Sequence, residues 1–524
     1  MSFDVHGRAR IEAGPATVAP PAARSARIYI WAAAAGIGAS LIVMAVVSLA
    51  QASWMGPPLP MPGIGPPVEF GSWHLSLNDV AVALWLSAVM AGLGLTAGLI
   101  AVRRGARPPI RPLIAAAVLV VAILTVLPPA GSTDSFDYMA FGRMVVLGHS
   151  PYVMVPWDLR RLHDAVSLSI PWEWAKVTTP YGPAATVEQF LAARLGGISA
   201  ARIVFWLKLV NALAFGAVAY TAHRLLRSDP AARLRAHLLW TINPLLIWQL
   251  IEAAHLDVLA AAAGMLGLVT AGGWPALPAS GHPRLGRVVA GGALIGLAAD
   301  IKINFLLFGL GLAWALRRSP RACVASACAM LAVLLPTYAW FGPPAIRSVV
   351  GRGNRTTADN FYQLFASSQH GFVMQHVAVI ATVLAIGAAI VVLTNLPGRE
   401  STPPAIYAAL ALSTAWLFVW QYQLPSYEAM VICLLILVPA CWLDWLVIAR
   451  LTAATIALMP GDPTPVQSRG LTRIGADNLT LAAPIVLITA LAGLIALCLS
   501  QRRRSRPPSA GPAPLASRSQ AASG

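Results

Sequence analysis

Charge is what this sequence has least of. Of 524 residues, 11% are Asp, Glu, Lys or Arg, where a soluble domain carries about a quarter. Hydrophobic residues make up 57% and the mean hydropathy is +0.69, so an ordinary soluble fold is excluded and an integral membrane protein is expected. Apolar runs recur from Ile28 to Leu499 and leave no stretch for a separate soluble domain of ordinary size. Acidic residues are scarcer than basic ones, 20 against 37, for a formal net charge of +17. That excess does not point to nucleic acid. The arginines stand in short clusters between apolar runs, which is how membrane topology is specified. Cysteine is also sparse: Cys323, Cys328, Cys433, Cys441 and Cys498 all sit inside apolar runs with no metal-ligand spacing. They read as small packing residues, not as a disulfide framework or a metal site.

What is present is a succession of spans. Residues 1–26 are rich in Ala, Pro and Arg and are expected to be a disordered tail, as are residues 501–524. Between them, residues 27–500 are read as one transmembrane domain. A first span over about Arg27–Ala50 is too long for a signal peptide, although Ala50-Gln51-Ala52 resembles a cleavage site. A loop rich in Pro and Gly follows, over 53–78, and a second span covers about Asp79–Val102. Arg103, Arg104, Arg107 and Arg111 mark the cytoplasmic side. Carried to the end, this reading gives an all-α bundle of about 14 spans with both termini cytoplasmic and the active site on the outer face.

Two stretches are too short for a pair of full crossings. Only about 30 residues separate Arg287 from Arg317, so two half-length helices turning near Asp300-Ile-Lys302-Ile-Asn304 are expected, with Lys302 at the bottom of an outward-facing cavity. Residues Ala429 to Pro460 are read in the same way, turning at Leu443-Asp444-Trp445. The Glu252-Ala-Ala-His255-Leu-Asp257 stretch is read as another turn.

The polar chemistry gathers in a loop over 129–200. It holds Asp134, Asp137, Tyr138, Arg143, Tyr152 and Tyr181 among Gly and Pro. Residues Trp157 to Val166 and Thr186 to Leu195 have the spacing of helices lying on the membrane surface. Asp134 and Asp137 would share a helical face, and on spacing alone Ser132 and Asp134 are good helix caps. Ionisable groups at the membrane rim are functional candidates by default, because each costs about 2.5–3.5 kcal/mol to insert. A carboxylate is a suitable base for an acceptor hydroxyl, and a departing phosphate calls for cations placed in advance. Asp134 is the candidate base. Arg143, Lys302, Arg347, Arg352 and Arg355 are the candidate cations. For the last three, a loop touching lipid headgroups is an equal reading. Tyr138, Tyr152 and Tyr181 are candidates for stacking on sugar. His255 and Asp257 are candidates for lining a sugar pocket, and as two ligands they do not make a metal site on their own. No metal ligand or cofactor is assigned, and a divalent cation stays open. Lys208 and Asn211 are expected to bond between helices.

Several motifs then fall in one order: Ser132-Thr-Asp134-Ser-Phe-Asp-Tyr138-Met-Ala-Phe-Gly142, Gly148-His-Ser-Pro151-Tyr152, Pro180-Tyr181-Gly182-Pro183, Asn243-Pro244, Ala254-His255-Leu-Asp257, and Gly296-Leu-Ala-Ala-Asp-Ile-Lys302. This pattern resembles the actinobacterial polyprenyl-phosphate-mannose-dependent α-1,6-mannosyltransferases, a family of the glycosyltransferase C-type superfamily. The resemblance spans most of Leu113 to Leu316. It implies a membrane glycosyltransferase fold, Asp134 as the catalytic aspartate, a polyprenyl-phosphate-mannose donor, inversion at the anomeric carbon, and a lipid-anchored glycan or lipoglycan of the cell envelope as acceptor. Asp137 falls where the family often has a small polar residue, and Gln423-Leu-Pro-Ser-Tyr-Glu428 departs from the commonest family ending. The residues themselves do not separate mannose from arabinose or glucose. A transporter or flippase of lipid-linked sugars and a non-catalytic envelope scaffold are the alternatives, and the halves of the chain show no repeat of the kind many transporters carry.

Overall fold

The computed structural model describes residues 21–50, 75–170, 174–272, 284–351, 356–365, 375–458 and 468–504. The first 20 residues of the expected N-terminal tail, residues 505–524 of the C-terminal tail, most of the 53–78 loop, and Arg352 and Arg355 lie outside the described residues.

Among the described residues every regular element is helical, and the chain is a polytopic membrane protein. Six helices are long and apolar enough to cross a bilayer: Ser25–Leu49, Leu77–Arg103, Ala200–Leu225, Pro320–Phe341, Val377–Asn395 and Arg469–Ser500. A further apolar helix pair, Pro230–Glu252 and Asp257–Gly272, is bent by 112° at the short break between its halves. Ile110–Val126, Ile303–Leu316, Pro404–Val419 and Pro425–Leu435 are shorter apolar helices. The first two spans pack backbone to backbone. Gly36 faces Gly94, and a Cβ on either would fall on the other helix's main chain. Small residues take this role in membranes because close dispersion contact, not water exclusion, drives association there. Ser87 joins the same pair by polar bonds, its Oγ lying 2.9 Å from Ser40 Oγ and donating to the Ser40 carbonyl at 3.1 Å.

The expected half-length helices are present. Leu285–Ile301 ends where Lys302 turns extended, at φ −147° and ψ 116°, and after one 3₁₀ turn the chain resumes as Leu306–Leu316. Glu428–Leu435 and Leu443–Leu458 form the second such pair. The turn between them lies just before Leu443, and Asp444 in the next helix accepts from the buried Arg235 at 2.8 Å and 2.5 Å.

The surface segment after Trp157 is shorter than its spacing suggests. It makes one helical turn, Asp158–Arg161, and then a 3₁₀ stretch, Ala165–Ser169. His163 takes φ +54° and stops the helix. Asp164 then caps the next turn by accepting from Val166 N. The second expected surface helix is complete, over Pro183–Gly196, with proline at its first position.

Candidate active site

Four separate segments bring the site together. The first is the start of the Asp134–Val146 helix. Asp134 opens it but does not cap it: its backbone N–H donates to Ser132 Oγ at 3.3 Å, and its side chain turns to other elements. Asp134 Oδ2 lies 3.2 Å from His255 Nε2 and accepts from Tyr138 OH at 3.3 Å. Tyr138 in turn meets Tyr181, OH to OH at 3.1 Å, with the rings edge to face at 5.2 Å.

The second segment is the break between Glu252 and Asp257. The Trp248–Glu252 stretch is a wide π turn, and Ala254 sits in the left-handed region at φ +58°. That conformation costs an L-residue about 1–3 kcal/mol and persists only where the surroundings impose it. Here they do. Asn211 Nδ2 donates to Leu250 O and His255 O at 3.0 and 3.1 Å. Trp248 Nε1 donates to Ala130 O at 3.0 Å. Lys208 donates to Leu127 O at 2.8 Å and pairs with Glu252 at 2.9 Å, and Glu252 also accepts from Ser48 at 2.6 Å. Lys208 and Asn211 thus make the interhelical bonds their sequence context suggests. Lys208 and Trp248 also tie the break to residues 127–130, which lead directly into Asp134. His255 and Asp134 meet for that reason.

The third segment is the Lys302 break. Lys302 Nζ donates to both oxygens of Asp257, at 2.8 and 2.7 Å. Its charge lies 4.0 Å from the Tyr427 ring centroid and 5.9 Å from that of Tyr181. The fourth segment, Pro180 to Pro183, joins Lys302 to Asp134. Gly182 N–H donates to Ile301 O at 3.2 Å, and a Cβ on Gly182 would overlap the Asp300 carbonyl. Only glycine lets these two backbones touch, and the touch sets Tyr181 between Tyr138 and Lys302.

The remaining candidates divide. Tyr152 lies behind Tyr181: it donates to the Tyr181 carbonyl at 3.0 Å, bonds Thr186 Oγ1 at 2.9 Å and packs edge-on to Phe341 at 5.0 Å. Asp137 is buried. Arg143 pairs with Asp164 at 2.7 Å, nine residues and about 13 Å along the helix from Asp134, and so braces the surface segment. Arg347 is exposed on the short Pro343–Val350 helix. Its neighbour Ser348 bonds Thr178 Oγ1 and Thr179 O at 3.0 and 2.6 Å, just ahead of Tyr181. Sequence reading missed a buried trio, in which Arg450 donates to Glu428 and to Gln423. Glu428 directly follows Tyr427, so the trio fixes the ring that faces Lys302. Among the described residues no group of three or more His, Cys, Asp or Glu side chains converges as metal ligands would.

Proton positions follow from the geometry. His255 Nδ1 lies 2.6 Å from the Gln249 carbonyl, which only accepts, so Nδ1 carries a hydrogen. Nε2 then donates to the Asp134 carboxylate only when the ring holds both protons. Burial alone would raise the Asp134 pKa. The bond and charge of His255, the charge of Lys302 and the bond from Tyr138 outweigh it and hold the group below its ordinary 3.8. Asp134 is therefore ionised at neutral pH. Its side chain is 22% exposed, open enough for a substrate hydroxyl to reach.

These features are those of a polytopic, all-helical membrane protein in which Asp134 and Lys302 lie on either side of the Tyr138–Tyr181 pair. Within it, a family model described as the alpha-(1->6)-mannopyranosyltransferase N-terminal domain matches residues 33–318, and the chain belongs to that family. Asp134, Tyr181, His255, Asp257 and Lys302 all fall inside the match, and Arg347 lies beyond it. The chain is 28% identical over 245 residues to a probable alpha-(1->6)-mannopyranosyltransferase of Mycolicibacterium smegmatis, covering 42% of this chain and 43% of that one. Alpha-(1->6)-mannopyranosyltransferase B of Corynebacterium glutamicum is 30% identical over 142 residues, 26% of this chain and 22% of that one. The matches thus span less than half the length of these curated relatives. Among solved structures, ArnT from Cupriavidus metallidurans, bound to undecaprenyl phosphate, aligns over 75% of this chain and 78% of its own at 16% identity, with a TM-score of 0.40.

Proposed function

We propose that this protein is a membrane mannosyltransferase that moves mannose from a polyprenyl-phosphate donor to a lipid-anchored glycan or lipoglycan of the cell envelope. The single observation that carries the reading is the convergence of Asp134 and Lys302, from segments far apart in sequence, on either side of the Tyr138–Tyr181 pair. In one displacement the acceptor oxygen attacks the anomeric carbon. The bond from that carbon to the phosphate oxygen breaks, and its electrons stay on the phosphate. The acceptor proton passes to the Asp134 carboxylate. The anomeric centre inverts because attack and departure occur on opposite faces. A carboxylate of lowered basicity suffices, since the hydroxyl becomes acidic as its oxygen bonds to an electron-poor carbon.

Lys302 has three N–H donors, and Asp257 takes two. The third serves the departing phosphate, with Arg347 at the rim. Tyr138, Tyr181 and Asp137 shape the sugar side, and Tyr152 positions Tyr181. In this reading the site faces outward, both termini are cytoplasmic, and the bundle crosses the membrane about 14 times when short and broken helices are counted. The family match supports mannose as the sugar. The test is transfer from radiolabelled polyprenyl-phosphate-mannose in membranes. Asp134→Asn is expected to reduce it by about 10²–10⁴-fold, the range for losing a general base, with expression and insertion unchanged. Retained turnover in that variant would remove Asp134 from the base role.

A further inference from the structure

An apolar cavity lies away from this site. A cavity of about 500 Å³ opens between the Pro21–Leu49, Leu77–Arg103 and Ile110–Val126 helices, with the 234–242 segment as its floor. Ile37, Gly38, Leu41, Val102, Leu113 and Leu238 line it, and its wall is almost wholly apolar. Such a wall offers water almost no hydrogen-bond partners. It runs from Ile30 to Ala45 along the first helix, a rise of about 22 Å, longer than the ~15 Å half-thickness of a bilayer core.

One end of the groove is strongly basic. Ala106, Pro108 and Pro109 line that end, and the exposed Arg104, Arg107 and Arg111 flank them, with Arg27 on the first helix. Arg104 stacks on Tyr29 at 4.5 Å. Arg107 donates to the main-chain oxygens of Ala106 and Val102 at 2.6 and 3.2 Å. Among the described residues none of these four arginines lies within ion-pair distance of a carboxylate. Arg103 differs: it turns inward to Cys441 O at 2.8 Å and to the Trp445 ring. The 17-residue Ile110–Val126 helix, about 25 Å long, separates this basic end from the Leu127–Asp134 end.

We infer that this groove binds an anionic phospholipid, its acyl chain between the first three helices and its phosphate on Arg104, Arg107 and Arg111. An apolar slot between helices beneath clustered arginines is the arrangement that selects anionic headgroups from a leaflet. The headgroup lies a helix length from Asp134, so the lipid is distinct from any sugar donor at that site, and its binding does not depend on the reaction proposed above.

The test is native mass spectrometry of the full-length chain released from nanodiscs containing phosphatidylglycerol, phosphatidylcholine and polyprenyl phosphate. Phosphatidylglycerol is expected to be retained about tenfold over phosphatidylcholine. Two variants separate headgroup from tail. Arg104→Gln/Arg107→Gln/Arg111→Gln removes the charge at exposed positions. Gly38→Phe fills the groove, since a Cβ at Gly38 meets nothing within 4 Å. Each is expected to abolish the preference, with thermal unfolding unchanged in the arginine variant. Equal retention of both phospholipids, retention by the arginine variant, or retention by a folded Gly38→Phe chain would overturn the site. Preferential capture of polyprenyl phosphate would overturn the phospholipid assignment.

Discussion

Replacing Lys302 by Met separates two roles that one side chain fills. The Asp257 side chain has no solvent exposure and Lys302 has 11%, so removing the ammonium strands a buried carboxylate. Breaking a buried pair on one side costs about 3–5 kcal/mol, a shift of at least ~10² in the folded population by the usual conversion of 1.4 kcal/mol per decade. Removing both partners is different: an apolar pair of similar volume in place of a buried ion pair is neutral or stabilising. The double variant Asp257→Leu/Lys302→Met is therefore expected to regain stability to within about 1 kcal/mol of wild type. Transfer does not follow. With Lys302 gone from beside the departing phosphate, both variants are expected to lose about 10²–10³ in kcat, the range for removing one preorganised electrostatic donor. Thermal unfolding of the detergent-purified chains reads the first effect and transfer of radiolabelled mannose reads the second. A double variant that transfers at the wild-type rate would reduce Lys302 to a structural partner of Asp257. A single variant as stable as wild type would show that the pair does not hold the two breaks together.

Three further expectations follow from the same contacts. His255→Gln removes the group that does most to hold the Asp134 pKa down. Burial is then opposed only by the Lys302 charge and the Tyr138 bond, and the acid limb of the pH–rate profile is expected to move from below about 3.8 in the wild type to a higher pH; identical limbs would mean that His255 does not set the charge state of Asp134. The sign for stability is the same, because a carboxyl depressed in the folded state stabilises above its unfolded pKa and loses that contribution as pH falls through its folded value. Gly182→Ala forces a methyl onto the Asp300 carbonyl and is expected to cost about 1–3 kcal/mol of overpacking and to separate Tyr181 from Lys302, seen as a lower unfolding temperature together with lost transfer. Arg143→Gln leaves Asp164 unpaired, and is expected to lower stability while the donor KM stays unchanged; a raised KM would return Arg143 to the phosphate.

The sequence was most informative where membrane physics leaves few choices. Arginine clusters too close together for full spans force a half-length turn, and the turn at Lys302 appears where that reasoning puts it. Scarcity helped as well: an aspartate in a chain with 20 acidic residues either has a task or has a partner. Pairing was not legible, because it depends on which backbones come into contact, and that is decided by features with no periodic signal. Asp257 reads as a sugar contact or a helix cap until the Glu252–Asp257 break is bent by 112° toward Lys302. Arg143 stands as close in sequence to Asp134 as any cation in the loop, yet a helix carries it about 13 Å away to Asp164. Gly182 offers only a small residue between Tyr and Pro, and its meaning appears once the Asp300 carbonyl is seen to occupy the space a side chain would need. In a dry bundle the charges must find one another or stay at the rim, so the same restriction that made the charged residues easy to nominate left their roles to be assigned by the folded backbone.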